Sequence, residues 1–248
     1  MLLIPFVFLV LVSLFDRLLD DGIEFPRAGF SRPAVYGIVL ALGVFLPLTR
    51  LPVALQRDSG FQRHTVELGH WLVKPEETYI DGINLLYRRE QKVGALSWLG
   101  APALRRLNGM TDAELQEIIE EMERQPVKLV VFNYRIEDLP QGLLMYLVPN
   151  FDHLWGNIMI YAPSIGPDDG QFAVKFSGHY RLETSGSEPI RIDGRQVAGG
   201  ETLLLDKGWH QVAGDTLFRL VLAPEGIEEK ADPRYRQENR LFFRPYEY

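Results

Sequence analysis

The sequence predicts a membrane-anchored α+β protein: two N-terminal transmembrane helices, a small α/β layer domain and then an antiparallel β-sandwich. Three observations carry that expectation. Two apolar runs lie before residue 50, the middle of the chain alternates strand-like and helix-like segments, and beyond Gln171 short strands are separated by turn signals every ~8 to 12 residues. The corresponding divisions are residues 1–52, 53–165, 166–224 and a tail over 225–248.

The first run, "MLLIPFVFLVLVSLF", has Ser13 as its only polar side chain. A signal peptide would need a basic start and a small-residue cleavage pattern, but Leu2 and Leu3 follow Met1 and "LVSLFDRLLDD" has no such pattern. A core helix would show a polar stripe, and none is present. A transmembrane helix that continues upstream in a longer chain fits best. The second run, "AVYGIVLALGVFLPL" from Ala34 to Leu48, is bracketed by Arg32 and Arg50, and its Tyr36, Gly37, Gly43 and Pro47 suit a membrane helix. Arg17, Arg27 and Arg32 on one flank balance Arg50, Arg57 and Arg63 on the other, so charge assigns no orientation.

In the α/β part, Leu55 to Val73 reads as a helix with Phe61, Val66, Leu68 and Leu72 on one loose face, stopped by Pro75. "ETYIDG" is a short strand closed by Asp81-Gly82. "VGALSWLGAPALRRLNG" is an apolar stretch with a break at Pro102 and a stop at Asn108-Gly109. Thr111 and Glu114 make a capping box ahead of a helix whose stripe is Leu115, Ile118, Ile119 and Met122, and Pro126 ends it. "VKLVVFNYR" is apolar enough to be buried on both faces, as in a parallel sheet, so strand, helix and strand form a right-handed crossover. "LPQGLLMYLVPN" adds a short helix and "HLWGNIMIYAP" one more strand. In the β part, "FAVKFSGHYRLET" alternates, "IRIDGRQV" is an Asp-Gly hairpin, "ETLLLDKGWHQV" holds another strand pair around Asp206-Lys207-Gly208, and "TLFRLVLAP" closes the series. The charged, aromatic end lacks a regular period and is expected to lie over the surface as a tail.

Composition limits the chemistry. The chain has 248 residues, no cysteine, a formal net charge of -7, a pI near 5.3 and a mean hydropathy of -0.06. Disulfides, thiolate catalysis and Cys-based metal sites are excluded, and an acidic chain without a basic stripe argues against nucleic acid as a partner. His64 and His70 stand about 240° apart on a helix, so they do not converge with Glu67 on one ion, and neither a metal site nor a cofactor is expected. Asp81 and Asn133 fall at the carboxyl ends of the two expected parallel strands, where open α/β sheets bind ligands, and would share a crevice with Tyr134 and Arg135. The competing possibility is that Asp81-Gly82 is only a turn and that Arg135 pairs with Glu137 or Asp138. Trp155, Tyr161, Tyr180 and Trp209 with His210 offer flat amphipathic rings suited to sugar, or to a sandwich core; the alternation around Trp209 favours core. The ligand-binding candidates are therefore Asp81, Asn133, Tyr134, Arg135, Trp155 and Trp209. G-x-S-x-G, P-loop, G-x-G-x-x-G and H-E-x-x-H motifs are absent, and no carboxylate pair is singled out for glycoside hydrolysis.

A membrane-like segment, then a helix containing "FQRHTVELGHWLV", then "KPEETYIDG" and, after "LLYRR", a unit with "VKLVVFNYR" resembles the C-terminal part of bacterial GT-C membrane glycosyltransferases. These are relatives of the protein mannosyltransferases and of the aminoarabinose transferases that modify lipid A. The shared element is carried by Gln62, Pro75, Glu76, Glu77, Asp81 and Gly82, and the likeness covers about residues 1–165. It implies transfer of a sugar from a polyprenyl-phosphate donor to a glycan, lipid or protein acceptor at the outer face of the bacterial cytoplasmic membrane, with the bilayer, donor and acceptor as partners. In that family the catalytic acidic residue lies in a first extracytoplasmic loop that has no counterpart here, so no catalytic residue is carried over. The expectation is a C-terminal portion that is inactive alone. The alternative is a membrane-anchored, non-catalytic glycan-binding or envelope-assembly protein.

Overall fold

Helix α1, Gly60–Leu72, forms because Phe61, Thr65, Leu68 and Leu72 recur at helical spacing and bury one stripe. The computed structural model describes residues 60–236, apart from 167, 168, 187 and 215. The two apolar runs lie outside the described residues, as do the expected spans within them; among the described residues no helix is long and apolar enough to cross a membrane. The chain divides into units 1–58 and 59–248, and the second holds every described residue.

Beyond α1, Glu77 accepts the Lys74 N–H at 2.8 Å and pairs with Lys128 at 2.9 Å, fixing the entry to strand β1, Thr78–Ile80, whose three residues are all buried. Helix α2, Ala101–Asn108, carries Pro102 in its first turn. The break expected at Pro102 is thus a helix start, because a first-turn residue has no intrahelical use for the N–H that proline lacks. Helix α3, Asp112–Arg124, has the expected capping box: Thr111 Oγ1 accepts the Glu114 N–H, and Glu114 accepts the Thr111 N–H at 2.7 Å. Strand β2, Val127–Val131, lies parallel to β1 with Tyr79 beside Leu129, the expected parallel pairing of the two strands. Helices α4, Tyr134–Glu137, and α5, Gln141–Asn150, lead to β3, Phe151–Trp155, and β4, Ile158–Tyr161. The segment expected to be one strand is a hairpin, turned at Gly156 with φ of 52° and Asn157, and the sheet order β1-β2-β4-β3 is mixed. Gly-Asn between two apolar runs is itself a hairpin signal.

The remaining strands are β5 Ser164–Ile165, β6 Gln171–Val174, β7 Gly178–Thr184, β8 Ile190–Ile192, β9 Arg195–Val197, β10 Thr202–Leu205, β11 Gly208–Ala213 and β12 Phe218–Leu222. Asp193 (φ 47°) and Gly194 (φ 80°) turn the β8–β9 hairpin, as Asp-Gly predicts. Outside it, β7 pairs with β10, β6 with β11 and β5 with β12, a nested series that rolls up when β12 also pairs with β7 and β11 with β8. The resulting antiparallel sheets, β10-β7-β12-β5 and β6-β11-β8-β9, have jelly-roll strand order, compatible with the expected sandwich. Asp206-Lys207-Gly208 does not close a hairpin: β10 and β11 lie in different sheets, so this turn crosses between them. Phe172 and Phe218 meet edge-on across the interior, ring centroids 6.2 Å apart.

One apolar core serves both sheet systems. Tyr79, Leu129 and Ile160 belong to the same buried cluster as Tyr180, Leu182 and Leu220, with Tyr161 and Phe176 in contact at 5.3 Å. The start of the expected tail is docked: Asp232 N–H donates to His64 Nε2 at 2.8 Å, and Trp155 Nε1 donates to the Asp232 carbonyl at 2.8 Å.

His210 stiffens the β8–β9 turn. Its Nδ1 lies 2.5 Å from Asp193 Oδ2, and its Nε2 lies 2.8 Å from the Asp206 carbonyl. Burial pulls the His210 pKa down, but these two acceptors outweigh it and hold the value above 6.5. Burial pushes Asp193 up, and hydrogen bonds from His210 and the Gln211 N–H bring it below 3.8. The His210 contribution to stability is complete below 6.5 and is lost as pH rises through its raised folded value. The Asp193 contribution is complete above 3.8 and is lost as pH falls through its depressed one. The pair therefore stabilises most between those two ordinary values. Thermal melts from pH 4 to 8 are expected to show Tm falling on the alkaline side, and His210→Asn is expected to flatten that limb; an unchanged slope would reject the assignment.

Candidate functional site

The parallel β1–β2 pair brings Asp81 and Asn133 together at the carboxyl ends of their strands. Asn133 Nδ2 donates to the Asp81 carbonyl at 2.8 Å and to the Val131 carbonyl at 3.0 Å, and its Oδ1 accepts the Arg135 N–H at 3.0 Å, capping α4. Asp81 is fully buried. Its Oδ1 accepts the N–H groups of Ile83 and Asn84 at 2.9 Å, its Oδ2 accepts the Leu85 N–H at 2.5 Å, and Gln91 Nε2 donates to Oδ1 at 2.9 Å. Burial raises the Asp81 pKa above the usual carboxylate value, outweighing the lowering by these bonds. Both side chains are thus committed to protein groups: Asp81 builds the loop over residues 82–85, and Asn133 fastens the two strand ends.

That loop presents Arg135 and its surroundings. Gly82 takes φ of 66°, and a Cβ there would meet Leu99 at 2.7 Å, so only glycine lets the backbone pass. The Gly82 carbonyl accepts Arg135 Nη1 at 3.2 Å, and Tyr134 Oη accepts Arg135 Nε at 3.1 Å. The guanidinium lies 5.0 Å from the centroid of Trp98, whose side chain is 59% exposed. Asp81 does form the turn that the simpler expectation gave it, its Oδ1 accepting the N–H groups two and three residues on, while Arg135 donates to the Gly82 carbonyl and Tyr134. Beside Trp98 opens a shallow depression of about 580 Å³ lined by Asn84, Tyr87, Arg88, Gln91, Ser97 and Trp98, with Glu90 adding a carboxylate. Tyr87 is 64% exposed with the Arg88 guanidinium 5.3 Å over its ring. Arg89 also lines it, while donating to the carbonyls of His70 and Val73 at the end of α1. His70 packs edge-on against Tyr87 at 5.4 Å; burial, then Arg89 and Arg88, lower its pKa.

Of the six expected site residues, Asp81, Asn133, Tyr134 and Arg135 are brought together, and Arg135 is the one aimed at the aromatic rim. Trp155 is 1% exposed, packed against Phe61 and His64, so its ring faces are closed to ligand. Trp209 is 71% exposed, against the core expectation: its strand alternates, but His210 and Val212 take the inner face and leave Trp209 outside. Tyr87, Arg88 and Trp98 were missed because residues 83–100 have no period. Tryptophan inside an aperiodic polar stretch was the available signal. His64 and His70 go to different neighbours, and among the described residues no group of three His, Cys, Asp or Glu converges as metal ligands would. The site offers the Arg135 and Arg88 guanidinium groups over exposed ring faces, with the Gln91 amide committed to Asp81 and Ser97 and the Glu90 carboxylate close by, and the two cations suit an anionic group attached to a ring or chain. No family model, curated protein or solved structure matches this chain.

Proposed function

We propose that this chain is the C-terminal, extracytoplasmic portion of a membrane glycosyltransferase that uses a polyprenyl-phosphate sugar, and that the surface around Arg135 and Trp98, beside the shallow depression, binds the phosphate-bearing end of a substrate. In this reading residues 1–52 supply two membrane spans, and the described residues position substrate without performing the transfer. The observation that carries it is the Arg135 guanidinium, held over Trp98 while it donates to the Gly82 carbonyl and Tyr134 Oη, beside exposed Tyr87 with the Arg88 guanidinium over its ring. The sequence likeness over residues 1–165 supports the same class. Asp81 has its oxygens committed to the loop, which favours binding over acid–base work at this place.

The test is calorimetric titration of the detergent-solubilised full chain with geranylgeranyl phosphate and with geranylgeraniol. Saturable binding of the phosphate and not of the alcohol is expected. Arg135→Ala and Trp98→Ala should each weaken it by about 10- to 100-fold, because a charge-assisted hydrogen bond contributes roughly 1.5–3 kcal/mol. Equal binding by wild type and both variants, or equal binding of the alcohol, would overturn the proposal.

A further inference from the structure

The segment that follows β12 comes back to lie on α1 and the β3–β4 hairpin. It consists of a short helix, α6, Ile227–Lys230, and a single 3-10 turn, Pro233–Tyr235. Its Ile227, Ala231 and Tyr235 are half-buried against the core. Hydrogen bonds fasten it along its length: the Asp232 N–H donates to His64 Nε2 at 2.8 Å, Trp155 Nε1 donates to the Asp232 carbonyl at 2.8 Å, and the Gly156 N–H donates to the Arg236 carbonyl at 3.1 Å. Seated in this way, Ile227, Ala231 and Arg236 form one wall of a pocket of about 360 Å³, whose other lining includes Leu154, Arg181 and Val221.

The His64 contact depends on protonation. A ring nitrogen that accepts a backbone N–H carries no proton, so this bond requires a neutral imidazole with its hydrogen on Nδ1. A proton added at Nε2 turns the acceptor into a donor and sets two N–H groups against each other, so one of them has to move. Histidine is the side chain that ordinarily changes charge between pH 5 and 8. The groups around this ring welcome the charge. From β3, the Trp155 ring lies 5.0 Å away and offers a π face to a cation. From the segment, hydrogen bonds and charge from Arg234, with a smaller pull from His64, hold the Asp232 carboxyl at about 2, so it stays an anion across that range. Its oxygens already accept the Arg234 N–H, Nε and Nη2 at 2.6–3.1 Å, so the carboxylate attracts an imidazolium without replacing the bond that the Asp232 N–H loses. On α1 itself, Arg63 is adjacent and Glu67 lies one turn on, both exposed. His153, which also lines the pocket, has its Nε2 3.0 Å from the Gly156 carbonyl.

We propose that His64 is a proton-operated latch. Neutral, it holds the segment over residues 227–236 against α1 and β3 and keeps the pocket walled. Protonated, it lets go of the Asp232 N–H, and the segment lifts and opens the pocket on that side, so that access to the pocket follows pH. The lift leaves the sheets intact, because the segment follows β12 and contributes no strand to them. No residue of the latch belongs to the surface around Arg135 and Trp98, so the inference stands apart from the phosphate-binding proposal.

The test is hydrogen–deuterium exchange of the detergent-solubilised full chain at pH 8 and pH 5.5, read by mass spectrometry on the peptide over residues 227–236 and corrected for the intrinsic pH dependence of exchange. In wild type the protection of that peptide should fall roughly tenfold or more in acid, while the peptide over β2 keeps its protection and reports that the fold is intact. His64→Gln supplies an amide oxygen that accepts the same N–H at either pH, and should stay protected at both. His64→Ala should be unprotected at both. Equal protection of the segment at the two pH values in wild type would overturn the proposal. Acid loss in His64→Gln as large as in wild type, which would move the switch to His153, or wild-type protection in His64→Ala at pH 8, would overturn it as well.

Discussion

Asp81→Ala is expected to destabilise the folded unit by about 2–4 kcal/mol, a drop in Tm of roughly 5–12 °C for a unit of this size. The carboxylate accepts the N–H groups of Ile83, Asn84 and Leu85 and the Gln91 side chain, inside a loop where Gly82 (φ 66°) and Asn84 (φ 57°) both take left-handed backbone. An alanine leaves those donors without their acceptor, and only the half-exposed flank of the loop lets water replace it. Because burial raises the Asp81 pKa, the folded state holds its proton more tightly than the unfolded chain. The group's contribution is therefore greatest below 3.8 and falls as pH rises through the raised value, so the substitution should cost more in acid than at neutral pH. Thermal or urea denaturation of the variant at two pH values measures both quantities. A variant with wild-type Tm and impaired ligand binding would show instead that Asp81 acts on ligand.

Trp155→Ala should have a larger effect, about 3–5 kcal/mol. The indole is enclosed by Phe61 at 5.6 Å, His64 at 5.0 Å and Tyr235 at 6.5 Å, and its Nε1 holds the Asp232 carbonyl at 2.8 Å. Removing it opens a cavity among α1, β3 and the segment after β12, and it also frees that segment. Limited trypsin digestion should therefore cut Trp155→Ala early at Lys230, Arg234 or Arg236 while wild type resists. Trp155→Phe retains most of the ring and loses the hydrogen bond, and should cost ~1 kcal/mol. Equal protease sensitivity of wild type and Trp155→Ala would reject the proposed docking of this segment.

Much of the α/β part was legible because its signals are local. The capping box at Thr111–Glu114, the stripe Leu115, Ile118 and Met122, and the all-apolar run Val127–Val131 each declare an element within a few residues. Asp193-Gly194 was equally clear, since few residues tolerate both turn positions at positive φ. Pro102 misled because proline has opposite meanings in the first turn and in the interior of a helix, and only the position of Gly100 as N-cap separates them. The Asp206–Gly208 turn misled because a tight turn looks the same whether the strands it joins pair with each other or with strands roughly 20 to 40 residues away.

At the site, the sequence placed Asp81, Asn133 and Arg135 together, because parallel pairing of two recognisable strands aligns their ends. What those side chains do there was decided by partners distant in sequence: Gln91 and the loop amides for Asp81, the Gly82 carbonyl and the Trp98 ring for Arg135. The two tryptophans show the same division. Alternation says that Trp209 shares a face with Gln211, and that Trp155 ends a strand, but not which face the core covers. By itself the sequence determined the identity and order of most elements, since propensity, capping and periodicity act over a few residues. Which face is buried, which strands pair across the jelly roll and which polar groups are left facing solvent were decided only by tertiary structure, because burial is a property of everything packed around a residue.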